Sequence, residues 1–367
     1  MTTRTLLLVG TPKGAFVLES DVTRADWSIR GPLCEGWPIH DMIVDPRTGA
    51  ILAAGGSPWY GPAVFRSEDL GVTWTPSSVG LTYGDGGPDR GDDARETIKT
   101  VWSLAAAPDG TIYAGVEPAG LFRSADGGMT WSHIEGLTNH PTRPGWQPGN
   151  GGLILHTIVP HPTDPDRVWI GISAVGVFET RDGGETWEPR NVGVRADFFP
   201  DPHPVTGQCV HKFAAAAGQP ETLYQQNHCG AYRSDDGGKH WTEITPGLPG
   251  QFGFPLVTHP SDPDTAWVIP LNGDDQGRYM PGASAAVWRT HDRGATWIRA
   301  GEGLPHEHAY LSVLREAMSR DTLDPVGVSF GTGTGQLWHS ADAGVSWRLV
   351  SANLPAIWSV ESVVLDG

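Results

Sequence analysis

Ser124-Ala-Asp126-Gly-Gly128-Met-Thr-Trp131 is the stretch that decides the fold. Its spacing, Ser/Thr-x-Asp-x-Gly-x-x-Trp, returns at 67–74, 180–187, 234–241, 290–297 and 340–347. A worn copy stands first: Ser20 and Trp27 keep the offset, while Val22 and Arg24 hold the Asp and Gly positions. A period of about 50 residues marks a repeat architecture. The chemistry of the motif is that of a turn. Asp oxygens accept backbone N–H groups in a tight bend. Gly takes backbone angles that a side chain forbids. Trp packs back over the bend from the next strand. Each copy therefore closes a β-hairpin, and its repetition makes it architectural, since one chain has no use for six copies of one catalytic group.

The motif resembles the Asp-box, or BNR, repeat, and the resemblance runs over almost the entire chain. Sialidases, xyloglucan-degrading glycoside hydrolases, sortilin-type receptors and photosystem II assembly factors share it. It implies a β-propeller and leaves function open. One repeat divides into strands at 101–106, 111–116, 120–124 and 130–134, with the repeated turn between the third and fourth. The N-terminus supplies only three strands, at 6–10, 15–19 and 26–30. The C-terminus supplies an orphan first strand: Trp358-Ser-Val-Glu-Ser-Val-Val-Leu-Asp-Gly367 matches Trp102-Ser-Leu-Ala-Ala-Ala-Pro-Asp-Gly110. Joining the two completes a seventh blade and removes bare sheet edges. The expectation is an all-β chain: a single seven-bladed propeller domain over 1–367, closed by the C-terminal strand.

A chain of 367 residues suits one propeller. Its 49 glycines and 31 prolines supply many short turns. The net charge of −17 disfavours nucleic acid and anionic membranes as partners, which leaves a small molecule or carbohydrate as the expected ligand. No apolar run is long enough to span a bilayer, and the first residues make too short an apolar run for a signal peptide. A cytoplasmic location is expected. Cys34, Cys209 and Cys229 do not make a disulfide framework.

Propeller connectivity puts the repeated turns on one face and the longest loops, 75–99, 132–155, 188–210 and 271–286, on the other. Loops of that length usually carry function. The acidic stretch Gly84-Asp-Gly-Gly-Pro-Asp-Arg-Gly-Asp-Asp93 lacks the spacing of an EF-hand and reads as a solvated loop. His161, His259, His240, His291 and His339 fall on the turn side. His40, His156 and His211 share one register on three first strands. Trp102, Phe254 and Trp358 take that position in other blades, with Tyr310 nearest and His308 just above it in the last. Converging imidazoles suit a divalent transition metal, and His40, His156, His211, His308 and His228 are the candidate ligands. The competing use of each ring is a bond to the backbone of the adjacent blade. Lys99, Trp102, Asn227, Tyr310 and Trp358 are candidate ligand-binding residues. Glu307, Glu361 and Asp41 are candidate catalytic carboxylates. A glycosidase needs two carboxyl groups facing one bond, and Asp92, Asp93, Glu96 and Glu117 widen that field. Trp59, Trp102 and Trp146 could stack on sugar rings.

Sialidases of this repeat class carry an arginine triad, a Tyr–Glu pair, an acid Asp and an early Arg-Ile-Pro motif, and no such motif occurs here. Arg66, Arg123, Arg233 and Arg289 belong to the turn hairpins. Arg95, Arg143, Arg195, Arg278 and Arg315 can reach the open face but form no recognisable set. The favoured reading is a pocket-bearing enzyme, either a metal-assisted hydrolase or lyase or a glycosidase, with its site on the open face. The alternative is a binding or assembly scaffold. A pocket with converging ionisable groups separates the first from the second.

Overall fold

The structure is a computed structural model that describes residues 3–57, 59–84 and 96–365. Asp92, Asp93 and Arg95, and nearly all of the acidic stretch, lie outside the described residues.

Seven four-stranded antiparallel sheets make an all-β, seven-bladed propeller. Blade 1 joins the two ends of the chain: Ser359–Leu365, then Arg4–Thr11, Gly14–Asp21 and Ser28–Leu33. Blade 2 runs Ile39–Val44, Ile51–Ser57, Gly61–Ser67 and Thr75–Ser77. Blade 3 runs Thr100–Ala106, Ile112–Glu117, Gly120–Ser124 and Ser132–His133. Blade 4 runs Leu155–Pro160, Val168–Ile172, Gly176–Thr180 and Glu188–Pro189. Blade 5 runs Val210–Ala216, Gln219–Asn227, Gly230–Ser234 and Thr242–Glu243. Blade 6 runs Gly253–Thr258, Ala266–Pro270, Val287–Thr290 and Ile298–Ala300. Blade 7 runs Met318–Arg320, Val328–Gly331, Leu337–Ser340 and Arg348–Ser351. The closing strand pairs Ser359 with Gly10, Glu361 with Leu8 and Leu365 with Arg4. Leu6, Leu7, Leu8 and Val9 are all fully buried, so this strand is covered on both faces, as a continuous apolar run implies.

Two compact units divide the chain. One comprises 1–33, 192–203 and 211–367, and the other 34–191 and 204–210. The division between 210 and 211 cuts through the first strand of blade 5. The first unit packs its core around Trp267, Phe330, Trp347 and Val360. The second packs around Phe122, Val101 and Trp131 and around Leu155, Ile170 and Phe178.

The turn at 124–131 shows why the repeat is written as it is. Asp126 Oδ1 accepts Ser124 Oγ at 2.7 Å, the Met129 N–H at 3.1 Å and the Thr130 N–H at 2.9 Å; Oδ2 accepts Thr130 Oγ1 at 2.6 Å. The Gly128 N–H donates to Ser124 Oγ at 2.8 Å, and Trp131 Nε1 donates to Gly128 O at 3.1 Å. Gly128 stands at φ 91°, where a side chain is strained. Arginines then link turn to turn. Arg66 Nη1 donates to Gly127 O at 2.9 Å, Arg233 Nη1 to Arg293 O at 3.0 Å, and Arg289 Nη1 to Ala343 O at 2.9 Å. In each case the acceptor lies between the Asp and the Gly of the following turn.

The worn first turn is held differently. Ser20 Oγ and Trp27 Nε1 are buried with no protein hydrogen-bond partner, as loss of the Asp and Gly implies. Arg24 sits at φ 56° in the Gly position and buries its guanidinium. It donates to Asp321 Oδ2 at 2.9 Å, Pro325 O at 3.0 Å and Ala341 O at 3.2 Å.

One expectation about register is corrected. The first strand of blade 7 is Met318–Arg320, so His308 and Tyr310 precede it in a loop. Stepping back two residues from Met42 gives His40, and from Leu104 gives Trp102. The same step from Met318 gives Glu316, not Tyr310.

Candidate functional site

In the second unit, the His40 ring stacks on Trp102, centroids 4.5 Å apart at 28°. Burial pushes its pKa down to about 4, against a Gly56 backbone bond that opposes the shift. Asp41 is 8% exposed. Its Oδ2 accepts the Leu104 N–H at 2.8 Å and its Oδ1 the Met42 N–H at 2.9 Å. The carboxylate thus ties blade 2 to blade 3, and the catalytic part expected of it gives way to a structural one. His156 spends both ring nitrogens: Nδ1 on Thr157 Oγ1 at 2.9 Å and Nε2 on Val210 O at 3.1 Å. A carbonyl partner makes Nε2 the donor, so this tautomer has no lone pair left for a metal.

The same unit opens a cavity of about 320 Å³, lined by Glu96, Lys99, Glu117, Trp146, Gly152 and Leu153 among others. The loops entering blades 3 and 4 build it. Lys99 Nζ meets Glu117 Oε1 at 2.9 Å, and Arg143 Nη2 meets Glu96 Oε2 at 2.8 Å. The two pairs differ in freedom: the Lys99 side chain is 54% exposed and that of Arg143 10%. Arg143 also lies over the Trp146 ring, 4.9 Å from its centroid, and Trp146 Nε1 donates to Thr142 Oγ1 at 2.9 Å. Gly152 stands at φ 109°, and a Cβ there would sit 2.8 Å from Glu117 Oε1. The backbone there requires glycine, and a Cβ would push the Glu117 carboxylate aside.

In the first unit, His211 is 2% exposed and its Nδ1 lies 2.6 Å from Gly253 O. The His228 ring stands 5.8 Å from it, between Phe198 and Phe252, and Phe254 packs on His211. Burial lowers the pKa of both rings. Asn227 is buried and shapes the hairpin that presents His228: its Oδ1 accepts the Cys229 N–H at 3.0 Å and its Nδ2 donates to Gln225 Oε1 at 3.1 Å. Its part is positional, not direct ligand contact.

Glu361 faces a second polar cluster of this unit. Its Oε2 accepts Ser319 Oγ at 3.1 Å. Burial raises its pKa, and Arg320 and Lys212 oppose that rise. Lys212 pairs with Glu316. Glu307 and His308 are exposed, as is Tyr310, which meets Tyr279 edge-on at 5.1 Å. Trp358 is half-buried and its N–H donates to Gly10 O at 2.9 Å.

The structure therefore brings together Lys99 with Glu117, and His211 with His228. It places Glu307, His308 and Tyr310 on an exposed loop. Glu316 escaped the sequence reading, although Asp321 stands as far beyond Met318 as Asp45 does beyond Met42. The pairing of Arg143 with Glu96 had no sequence signal, because two long loops bring it about.

No protein-family model matches the chain. A xyloglucanase from Hypocrea jecorina is 27% identical over 304 residues, covering 76% of this chain and 34% of the relative. The chain spans little more than a third of the length of the curated relatives it first matches. Among solved structures, Pseudomonas aeruginosa periplasmic gluconolactonase superposes with a TM-score of 0.59 at 13% identity, covering 98% of this chain and 99% of that one. YCF48 from Cyanidioschyzon merolae gives 0.51 at 13% identity, covering 85% and 84%. These two likenesses speak for the propeller alone, and their differing names show how little the fold says about chemistry.

Proposed function

We propose that this chain is a carbohydrate-active propeller that binds an oligosaccharide in the Glu96–Glu117 cavity and hydrolyses a glycosidic bond there. The observation that carries the reading is the cavity itself. Two carboxylates and an ammonium line it beside the apolar surfaces of Trp146, Pro118, Pro148 and Leu153. A sugar offers the matching pattern, with hydroxyls for the charged groups and C–H faces for the apolar wall. The volume of about 320 Å³ falls at the small end of ligand pockets, enough for a short segment of chain. Similarity to xyloglucanases makes xyloglucan and its oligosaccharides the first substrates to try.

The ion pairs divide the work. Glu96 is tied to the little-exposed Arg143 and suits the part of base. Glu117 has a partner, Lys99, that can swing into solvent when substrate enters, and so suits the part of acid. Release of reducing ends from xyloglucan and other glucans, with binding measured by calorimetry, tests this. Glu96→Gln and Glu117→Gln should each cut turnover by about 100-fold or more with an unchanged melting temperature. Binding of a glycan without turnover by the native chain would replace the enzyme with a binding module. Neither binding nor turnover across the panel would end the carbohydrate reading.

A further inference from the structure

The worn first turn opens on a cavity of its own, within the first unit. The volume is about 550 Å³, and blade 1 alone builds the wall, with Arg4, Glu19, Ser20, Asp21, Asp26 and Trp27 among its residues. The motif spacing shows what has changed here. Ser20 and Asp26 stand where Ser124 and Thr130 grip the Asp126 carboxylate in the intact turn. The Asp position is Val22, which is exposed. Two polar groups of the wall are left over. Ser20 is 7% exposed, yet its Oγ has no protein partner, and neither has Trp27 Nε1. In the intact turn the matching hydroxyl bonds Asp126 and Gly128, and the matching indole donates to Gly128 O. Arg24 O, which stands in the place of that carbonyl, accepts Arg348 Nη2 at 3.0 Å.

The rest of the wall narrows the class of ligand. Arg4 Nη1 pairs with Glu19 Oε1 at 3.0 Å. Hydrogen bonds from Thr23 hold the Asp21 carboxyl below the usual range, so it is ionised at neutral pH. With Asp26 beside it, the wall carries an excess of negative charge, which repels an anion. A metal ion is no better served, because no three of these carboxylates bring their oxygens within 4.8 Å of one another. A bare ammonium group offers nothing to an indole N–H, which only donates. A hydroxyl group answers both needs: it donates to a carboxylate and accepts from Trp27 Nε1. The half-buried Trp27 ring adds apolar surface for the C–H face of a sugar.

We propose that the worn turn of blade 1 is a second carbohydrate-binding site, one that takes an uncharged sugar against Ser20, Asp26 and Trp27. The site goes beyond the glycosidase reading and does not rest on it, because it shares no residue with the Glu96–Glu117 cavity.

The test follows the Trp27 indole N–H by nitrogen-15 NMR of the full chain, its resonance identified by its loss in Trp27→Phe. The probes are a neutral xyloglucan heptasaccharide, trigalacturonate and putrescine. The heptasaccharide should shift the resonance, and trigalacturonate at the same concentration should leave it in place. Ser20→Ala removes an unpaired buried hydroxyl, so the ligand-free melting temperature should hold or rise. The same variant should bind the heptasaccharide about 5-fold more weakly at this resonance, the worth of one hydrogen bond. A resonance that no sugar moves overturns the site. So does one that putrescine moves and the heptasaccharide does not, or a Ser20→Ala affinity equal to the native one. Turnover is a separate readout: a resonance moved by sugar in a chain that cleaves no glucan supports this site and removes the glycosidase reading.

Discussion

Replacing Arg24 with methionine probes what holds the worn first turn. The guanidinium is buried with its side chain 5% exposed, and its partner Asp321 is 1% exposed. Arg24→Met removes the bonds to Asp321 Oδ2, Pro325 O and Ala341 O and leaves a buried carboxylate without its cation. Breaking such a pair from one side typically costs about 3–5 kcal/mol. Asp321 Oδ1 still accepts the Leu323 N–H at 3.0 Å and the Gly327 N–H at 2.7 Å, and methionine keeps most of the buried stem. The lower end, about 3 kcal/mol, follows. For a chain of this size that is a fall of about 4 °C in melting temperature. Arg24→Gly loses the same pair and also the buried stem, at about 0.8 kcal/mol per methylene, which outweighs the relief of the left-handed backbone at φ 56°, so it should be no milder than Arg24→Met. Urea unfolding followed by tryptophan fluorescence, with calorimetry beside it, reads both. In a double-mutant cycle, Asp321→Asn should recover at least about 1 kcal/mol in the Arg24→Met background. An Arg24→Met protein that melts within about 1 °C of the native one, or single costs that merely add, would refute the reasoning.

Two smaller predictions accompany it. Asp126→Ala strips four hydrogen bonds from one turn, but that turn faces water, so the loss should be about 1 kcal/mol with carbohydrate binding unchanged. A melting temperature unaffected while activity disappears would contradict this. His339 is buried beside Ser329 and Trp27, and burial, helped by Arg24 and Arg348, lowers its pKa from 6.5 to about 3. A depressed pKa means that its contribution is present above pH 6.5 and lost as pH falls toward 3. At pH 4 the native chain should have lost about 3 kcal/mol from this group. His339→Gln should flatten that part of the stability–pH curve, and an unchanged slope would show that the ring is not the source.

The blades were readable because the turn chemistry is local. Asp126 bonds only groups within its own few residues, so the sequence pattern carries all the information the turn needs. The closing strand was readable because the N-terminal blade visibly lacked a first strand. The uses of the first-strand side chains were not readable. His156, Asp41 and His211 differ in whether they bond a carbonyl or an amide of the next strand, and that depends on a spacing between blades that no single repeat encodes. His40, His156 and His211 do share a register, yet His156 binds backbone through both nitrogens and His40 stacks on Trp102. Loops gave less still. Glu117 and Lys99 were each visible as candidates, but only folding shows that they meet.

The first-strand position has a mechanical duty that limits where chemistry can sit. It bridges to the neighbouring strand, and two kinds of contact manage this here. Imidazole bonds a carbonyl, as in His156 and His211. Aromatic rings stack, as in His40 on Trp102. Glu316 does neither: it pairs with Lys212 of blade 5, past blade 6. A side chain committed in this way can donate to a ligand only through an atom the bridge does not use. His156 fails that condition, because both nitrogens are engaged. The second bond follows from one neighbour: Thr157 stands beside His156 and offers a hydroxyl. Replacing Thr157 with valine should therefore release Nδ1 of His156 without breaking its bond to Val210. If that ring then still fails to take up Zn²⁺, the number of donors within reach, and not ring availability, is what keeps it from holding a metal.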